Sequence, residues 1–202
     1  MILATYEPHS PEWFAARRWR VGGSEIGAVC GWSPYQTRDE LLAAKISGEQ
    51  GPTSAAMERG TFLEAGVLAL ACHREGLTLD PAASAATYVH DEHPWALFNP
   101  DGIAVDGVLV EAKTTADRAN DRGWGRAGNG SVPAHYEAQV QWGLGILGLD
   151  RCLLAVLHGA TNGRPDLNVA RYRITADPAA FAFLLRRGQA FLEDLNQAKE
   201  AA

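Results

Sequence analysis

Residues 99–113, NPDGIAVDGVLVEAK, combine hard anionic oxygens with a cation at a spacing suited to phosphodiester hydrolysis. Carboxylates such as Asp101 and Glu111 are the ligands that Mg²⁺ prefers. Lys113 supplies the cation such a reaction needs, beside the attacking water or the crowded negative charge of the transition state. Positions i and i+2 of a strand share a face, so Glu111 and Lys113 project together while Ala112 points away. Taken alone, the same residues also suit an exposed hairpin with a surface Glu and Lys.

The hairpin that must position them can be counted out. Asp106-Gly107 is a two-residue turn signal between apolar runs at 103–105 and 108–110. That turn sets Val105 opposite Val108 and Asp101 level with Ala112. Asp101 then lies beside Glu111 and Lys113 but on the wrong face, unless a bulge or break at Gly102 turns it inward.

Around the hairpin, Ser10-Pro11 opens a short helix through Trp13 and Arg17. Ser24 is expected to cap a second short helix ending near Gly31. Thr37 to Glu40 is a capping box for a helix to about Gly48, and a longer helix runs from about Thr53 to Glu75, stopped by Gly76. Strands are predicted at 87–90, 96–98, 103–105, 108–114, 152–158 and 167–174. Pro133 opens a helix to Gly148, residues 115–132 form a long loop, and an amphipathic helix closes the chain. The expectation is an α/β (α+β) fold, a restriction-endonuclease-like core with a central mixed sheet of about five strands flanked by helices. The 202 residues are read as a single domain: helices at 10–75, a sheet and helix at 77–175, and a terminal helix at 177–200.

Composition narrows the class. No apolar run approaches the roughly 18 residues of a membrane helix, and MILATYEPHS lacks the pattern of a signal peptide, so a cytoplasmic location is expected. Cys30, Cys72 and Cys152 are too widely spaced for a zinc or iron–sulfur site and suit buried free thiols. The net charge of −6 argues mildly against a nucleic-acid partner, although carboxylates at a metal site add acid and local patches count for more. Arginines cluster at Arg17, Arg18 and Arg20, and again at Arg118, Arg122 and Arg126.

Three further groups carry chemistry. Glu64 shares a helix face with Met57, Gly60, Thr61, Val67, Leu68 and Ala71, where a carboxylate needs a cation or hydrogen bonds, or else reaches water at the stripe's edge. Glu58 and Glu75 read as ordinary surface residues. Tyr136 and Gln139 share a face that Gly143 continues, fit either to hold a phosphate or water or to meet another helix. Arg17 with Gly22-Gly23-Ser24 suits an anion at a helix start, or else only a cap beside an exposed arginine.

In this order the pieces resemble the YqaJ-type viral recombinases, the phage lambda exonuclease family of PD-(D/E)xK nucleases, over about Trp13 to Leu157. The matches are Trp13, Arg17 and Ser24 with GGSEIGAVCGWSPYQT, Gly60-x-x-x-Glu64, Pro100-Asp101-Gly102, Glu111-x-Lys113, and Tyr136-x-x-Gln139-Val140-Gln141. The resemblance implies a Mg²⁺-dependent (or Mn²⁺-dependent) exonuclease that works 5′→3′ on double-stranded DNA ends with two ions, in phage or prophage recombination within a bacterial host. It implies that Asp101, Glu111 and the Ala112 carbonyl bind metal, with Glu64 completing the second ion's shell. Lys113 would orient or deprotonate water, supported by Gln139. Arg17 and Ser24 would hold a 5′-phosphate, and Tyr136 would pack near the scissile nucleotide. Asn99 stands where the lambda-type enzyme has Ser, which implies altered end recognition. A homotrimer and an annealing recombinase as partner are also implied.

Two other readings share these residues. One is an endonuclease or nickase on the same fold, for which 115–132 could read bases. The other is a DNA-end binding module without catalysis.

Overall fold

Helix ends in this chain follow local chemistry closely. Ser10 Oγ accepts from the Trp13 N–H with Pro11 in the first turn, Thr37 and Glu40 close a full capping box, and Ser54 Oγ accepts from the Met57 N–H. Gly48, Gly76 and Gly148 end three helices in the left-handed conformation. The computed structural model describes residues 1–49, 51–116, 123–161, 164–165 and 168–200.

In chain order the elements are β1 (Ile2–Thr5), α1 (Pro11–Arg18), β2 (Val21–Gly22), α2 (Ile26–Val29), α3 (Arg38–Ser47), α4 (Ala55–Glu75), α5 (Pro81–Ala85), β3 (Ala86–Val89) and β4 (Ala96–Phe98). Then come β5 (Gly102–Ile103), β6 (Val108–Thr115), α6 (Ala134–Leu147), β7 (Arg151–His158), β8 (Ala160–Thr161), β9 (Arg164–Pro165), β10 (Val169–Thr175) and α7 (Pro178–Glu200).

The fold is mixed α+β, with helices flanking sheet. The described strands divide into two four-stranded sheets, β1-β3-β4-β2 and β10-β7-β6-β5, with a separate β8-β9 ribbon, where one sheet of about five strands was expected. β6 runs parallel to β7, with α6 as the crossover, and antiparallel to β5. Side chains of β6 alternate between two cores. Val108, Val110 and Ala112 pack with Val67, Leu68 and Ala71 of α4, while Leu109 packs with Val140, Trp142 and Leu144 of α6. Glu111 and Lys113 therefore share the α6 face.

The turn differs from expectation in a way that matters. Gly102 pairs with Val110 and Ile103 with Leu109, so the loop holds three residues, Val105-Asp106-Gly107, with Gly107 at φ 79°. The Ala104 N–H donates to Val108 O and the Gly107 N–H to Ala104 O, at 2.9 Å each. A left-handed glycine at the third loop position is what this hairpin length requires. The register thus moves by one residue, and Asp101 comes level with Glu111 rather than Ala112. No bulge forms at Gly102; the ladder with β6 ends there, the break that was the other expectation, and the longer turn sets the register.

Other expectations are corrected too. Ser24 is not a cap: Glu25 precedes α2 without a side-chain cap, and α2 spans only four residues. Gly143 leaves room for protein, since a Cβ there would meet the Phe98 ring at 2.4 Å. Glu75 is paired with Arg171 at 3.1 Å and Arg173 at 2.7 Å, tying α4 to β10. Arg18 and Arg20 donate to backbone carbonyls at Lys45, Ile46, Pro94 and Ala16.

Within the expected loop, Arg118 and Arg122 lie outside the described residues. Gly128 pairs with β10 through backbone bonds to Arg171 and Arg173. All three cysteines are free, with Cys72 and Cys152 buried. Among the described residues no helix is long and apolar enough to cross a membrane.

Candidate active site

Strand β6 delivers Lys113 to the wall of a cleft of about 450 Å³, with Glu111 beside it, buried. Lys113 Nζ lies 3.2 Å from Glu111 Oε2 and 3.7 Å from Asp101 Oδ2. Glu111 is fully buried, and its Oε2 also accepts from Gln139 Nε2 on α6 at 2.8 Å. Past Gly102 the chain leaves the β6 ladder, and Asp101 Oδ2 accepts the Ala112 N–H at 2.9 Å. A strand residue presents its N–H and C=O to the same edge, so the Ala112 carbonyl faces the Asp101 side as well. Tyr136, one turn before Gln139, holds its ring centroid 6.0 Å from Lys113 Nζ.

Glu64 reaches the same cleft from α4. The apolar face expected around it exists only in the second half of the helix. Val67, Leu68 and Ala71 are buried, whereas Met57 and Thr61 are exposed. Glu64 overhangs the cleft instead. Its carboxyl is pushed up to about 7, first by the surrounding protein displacing water and then by Asp101, with Lys113 pulling the other way. Burial and then Asp101 push Glu111 up to about 8, against the pull of Lys113. Burial lowers the Lys113 ammonium, but Asp101, Glu111 and Glu64 outweigh it and raise it above the usual lysine range.

These directions describe an acid-rich pole that one lysine does not neutralise. Carboxylates and a carbonyl are the donors a hard divalent cation takes, so the chemistry of the set fits Mg²⁺. Among the described residues, no three His, Cys, Asp or Glu side chains stand close enough to grip one ion together. Asp101 and Glu111 converge on Lys113 as their counter-ion, and Glu64 feels both Asp101 and Lys113 across the cleft.

The opposite wall is cationic. Arg17 on α1 lays its guanidinium over Trp13 at 4.4 Å, donates to Asn99 Oδ1 at 3.1 Å and to Ser24 Oγ at 3.0 Å. Asn99 Nδ2 donates to Thr87 Oγ1, which orients the amide. Arg17, Ser24, Asn99, Asp101, Glu64, Lys113 and Gln139 all line the one cleft.

Two residues here were missed from sequence, Glu25 and Lys45. Glu25 contacts Arg17 at 3.6 Å and Lys45 Nζ at 3.0 Å. Lys45 is 6% exposed, and a signal existed: it falls four residues after buried Leu41, on the apolar stripe of α3. His9, at φ 63° and with its ring tilted against Trp13 at 5.3 Å, also lines the cleft and was not singled out.

The fold has solved counterparts. It resembles the alkaline exonuclease LHK-Exo of Laribacter hongkongensis, solved in complex with dAMP, with a TM-score of 0.70 and 23% identity over 95% of each chain. It also resembles a phage-related exonuclease of Haemophilus somnus 129PT, with a TM-score of 0.63 and 12% identity over 88% of this chain and 94% of that one. The protein YqaJ of Bacillus subtilis (strain 168), itself uncharacterized, is 29% identical over 166 residues, which is 79% of this chain. The chain spans about half the length of that relative. Residues 12–150, which hold Arg17, Ser24, Asn99, Asp101, Glu111, Lys113, Glu64 and Gln139, match the model of the YqaJ-like viral recombinase domain. The chain belongs to that family.

Proposed function

We propose that this protein is a Mg²⁺-dependent DNA exonuclease that degrades double-stranded ends 5′→3′. The observation that carries the reading is the pairing of two poles in one cleft: Asp101, Glu64 and Lys113, with Glu111 buried against Lys113, at one, and Arg17, Ser24 and Asn99 at the other. Family membership and the exonuclease fold support it, and the dAMP bound to the Laribacter relative is a mononucleotide of the kind an exonuclease releases.

Asp101, Glu111, the Ala112 carbonyl and Glu64 would hold two metal ions. Such ions supply Lewis acidity and lower the pKa of water, which is the hydrolytic chemistry a phosphodiester needs. The protein's own groups do the rest. Gln139 Nε2 and Lys113 Nζ both donate to Oε2 of Glu111, and its Oε1 accepts the Asp101 N–H at 3.4 Å, so the carboxylate is held in one orientation beside Asp101. Lys113 Nζ orients the attacking water and offers positive charge to the phosphoryl oxygens. Arg17, with Ser24 and Asn99, takes the terminal 5′-phosphate through charge-assisted bonds, which registers the strand against the acid pole. Tyr136 packs against the nucleotide being released. The exposed single strand would pass to an annealing recombinase, with the enzyme acting as a homotrimer.

Digestion of a linear duplex with separately labelled ends, with and without Mg²⁺, beside a closed circle of the same sequence, tests this. Mononucleotides should leave 5′-phosphorylated linear ends only when the metal is present, and the circle should survive. Nicking of the circle would replace the reading with an endonuclease, and inertness with every divalent metal would reduce the protein to an end-binding module.

A further inference from the structure

We propose that Glu25 is a positioning residue: with Lys45 and the bare backbone of Gly22, it locks the Arg17 guanidinium at the cleft wall in the pose that receives the substrate's terminal phosphate. The inference rests on the end-recognition reading above and assigns that site its specificity device.

An arginine at the end of an eight-residue helix has a long, mobile side chain, and holding it in one rotamer needs several contacts. Arg17 has them on every side. Trp13 lies under its plane at 4.4 Å, Asn99 and Ser24 accept from its two terminal nitrogens, and Glu25 Oε1 stands 3.6 Å from Nη2. The remaining side is backbone: a Cβ on Gly22 would lie 2.4 Å from Arg17 Nη2, so only glycine admits the guanidinium there.

Glu25 is itself held rigidly. Its Oε2 accepts the Gly22 N–H at 2.7 Å, and Lys45 Nζ donates to its Oε1 at 3.0 Å and to the Arg17 carbonyl at 3.0 Å. The Lys45 ammonium thus also closes the C-terminal end of α1, where carbonyls point outward and a cation is favoured. Burial works to raise the Glu25 carboxyl, but Lys45 and Arg17 outweigh it and hold it below the usual carboxylate range. Burial, and Arg17 in addition, press the Lys45 ammonium down, against the pull of Glu25. Arg17 and Lys45 are therefore close enough to repel, and Glu25 is the charge that keeps both in place.

This arrangement makes the sign of a mutational effect diagnostic. If Glu25 acted only through charge, Glu25→Gln would add positive charge to the wall and tighten binding of an anionic end. As a positioning residue its loss frees Arg17 to swing from Asn99 and Ser24, and phosphate recognition weakens although the site has become more positive.

The test compares kcat/KM on duplexes with 5′-phosphoryl and 5′-hydroxyl ends for wild type, Arg17→Ala, Glu25→Gln and Gly22→Ala. Thermal unfolding of each is recorded alongside. Wild type should favour phosphoryl ends, and Arg17→Ala should remove the preference. Glu25→Gln and Gly22→Ala should each cut it by about tenfold, the size of one charge-assisted hydrogen bond, mainly through KM. Gly22→Ala changes no charge and displaces only the flexible end of Arg17, so agreement between the two variants isolates position from electrostatics. A preference kept or increased in Glu25→Gln overturns the proposal, as does an equal fall on both end types. If wild type does not discriminate, or Arg17→Ala still does, the end-recognition reading fails first and the proposal falls with it.

Discussion

The two poles of the cleft are built from the same chemical groups in opposite proportion. At one, Asp101, Glu111 and Glu64 surround a single lysine, and the carboxyls of Glu64 and Glu111 are pushed up to about 7 and about 8. At the other, a single carboxylate faces Arg17 and Lys45, and it is held below its usual range. Burial acts in the same direction on Glu111 and Glu25, so between these two the neighbouring charges decide the outcome. An acid surplus invites a cation and a basic surplus invites an anion. A metal-dependent enzyme acting on a phosphorylated end needs both within one cavity.

The largest effect should come from removing Lys113, the one cation at the acid pole among the described residues. Lys113→Ala should lower single-turnover cleavage by about 10³-fold or more, as expected for a group that acts on charge developing in the transition state. DNA binding, measured by fluorescence anisotropy, should change by only a few-fold, because the Arg17 wall is untouched. A near-wild-type rate would remove Lys113 from the chemistry and leave the acid pole as a metal anchor alone.

A smaller effect should appear in stability. Glu64 and Glu111 bind protons more tightly in the folded protein than the usual carboxylate value of 4.5. Between that value and their folded values the native state carries more protons than the unfolded one, so stability falls as pH rises through about 7 and 8. The contribution is fully present below about 4.5 and is lost above about 8. Divalent metal competes with those protons, so Mg²⁺ should raise the melting temperature more at pH 8.5 than at pH 5.5. Glu111→Gln should flatten the metal-free pH profile. A melting temperature independent of metal at pH 8.5 would contradict the assignment of these carboxylates as ligands.

Sequence carried more of the acid pole than of the basic one, and the reason is distance along the chain. Asp101, Glu111 and Lys113 lie on one hairpin, where strand periodicity ties residue type to face. Their register was misjudged because Asp-Gly suits both a two-residue turn and the end of a three-residue one, and Val105 reads as strand although it is 69% exposed in the loop. The extra loop residue sets the facing of Asp101, which sequence had assigned to a bulge or break at Gly102; the strand does end at Gly102, but without a bulge. The basic pole joins α1, β2, α2, α3 and the end of β4, and no local pattern announces a contact between Glu25 and Lys45. β2 and β5 span two residues each, too few to show a period, so the division into two sheets was not legible. For Glu64 two placements were open, and the structure shows the second: its helix is half exposed, with Phe62 at 79%, and Glu64 sits at the edge of the buried stripe, reaching the cleft from there.

The smallest expected effect sharpens the comparison by copying one pole's stoichiometry elsewhere. Glu75 also faces two cations, Arg171 and Arg173, at 3.1 and 2.7 Å. By count of charges it matches Glu25 with Arg17 and Lys45. Its partners differ in burial: Arg171 and Arg173 are 31% and 58% exposed, against 12% for Arg17 and 5% for Lys45. Water screens the first group and replaces its hydrogen bonds when one is lost. Glu75→Gln should therefore cost at most about 1 kcal/mol by urea denaturation and leave the preference for phosphorylated ends unchanged. Glu25→Gln removes the same charge from an equally numerous set, but leaves a buried lysine without its counter-ion and should destabilise by more. Equal losses for the two variants would mean that the number of cations, and not their burial, governs these sites, and the contrast between the poles would then rest on stoichiometry alone.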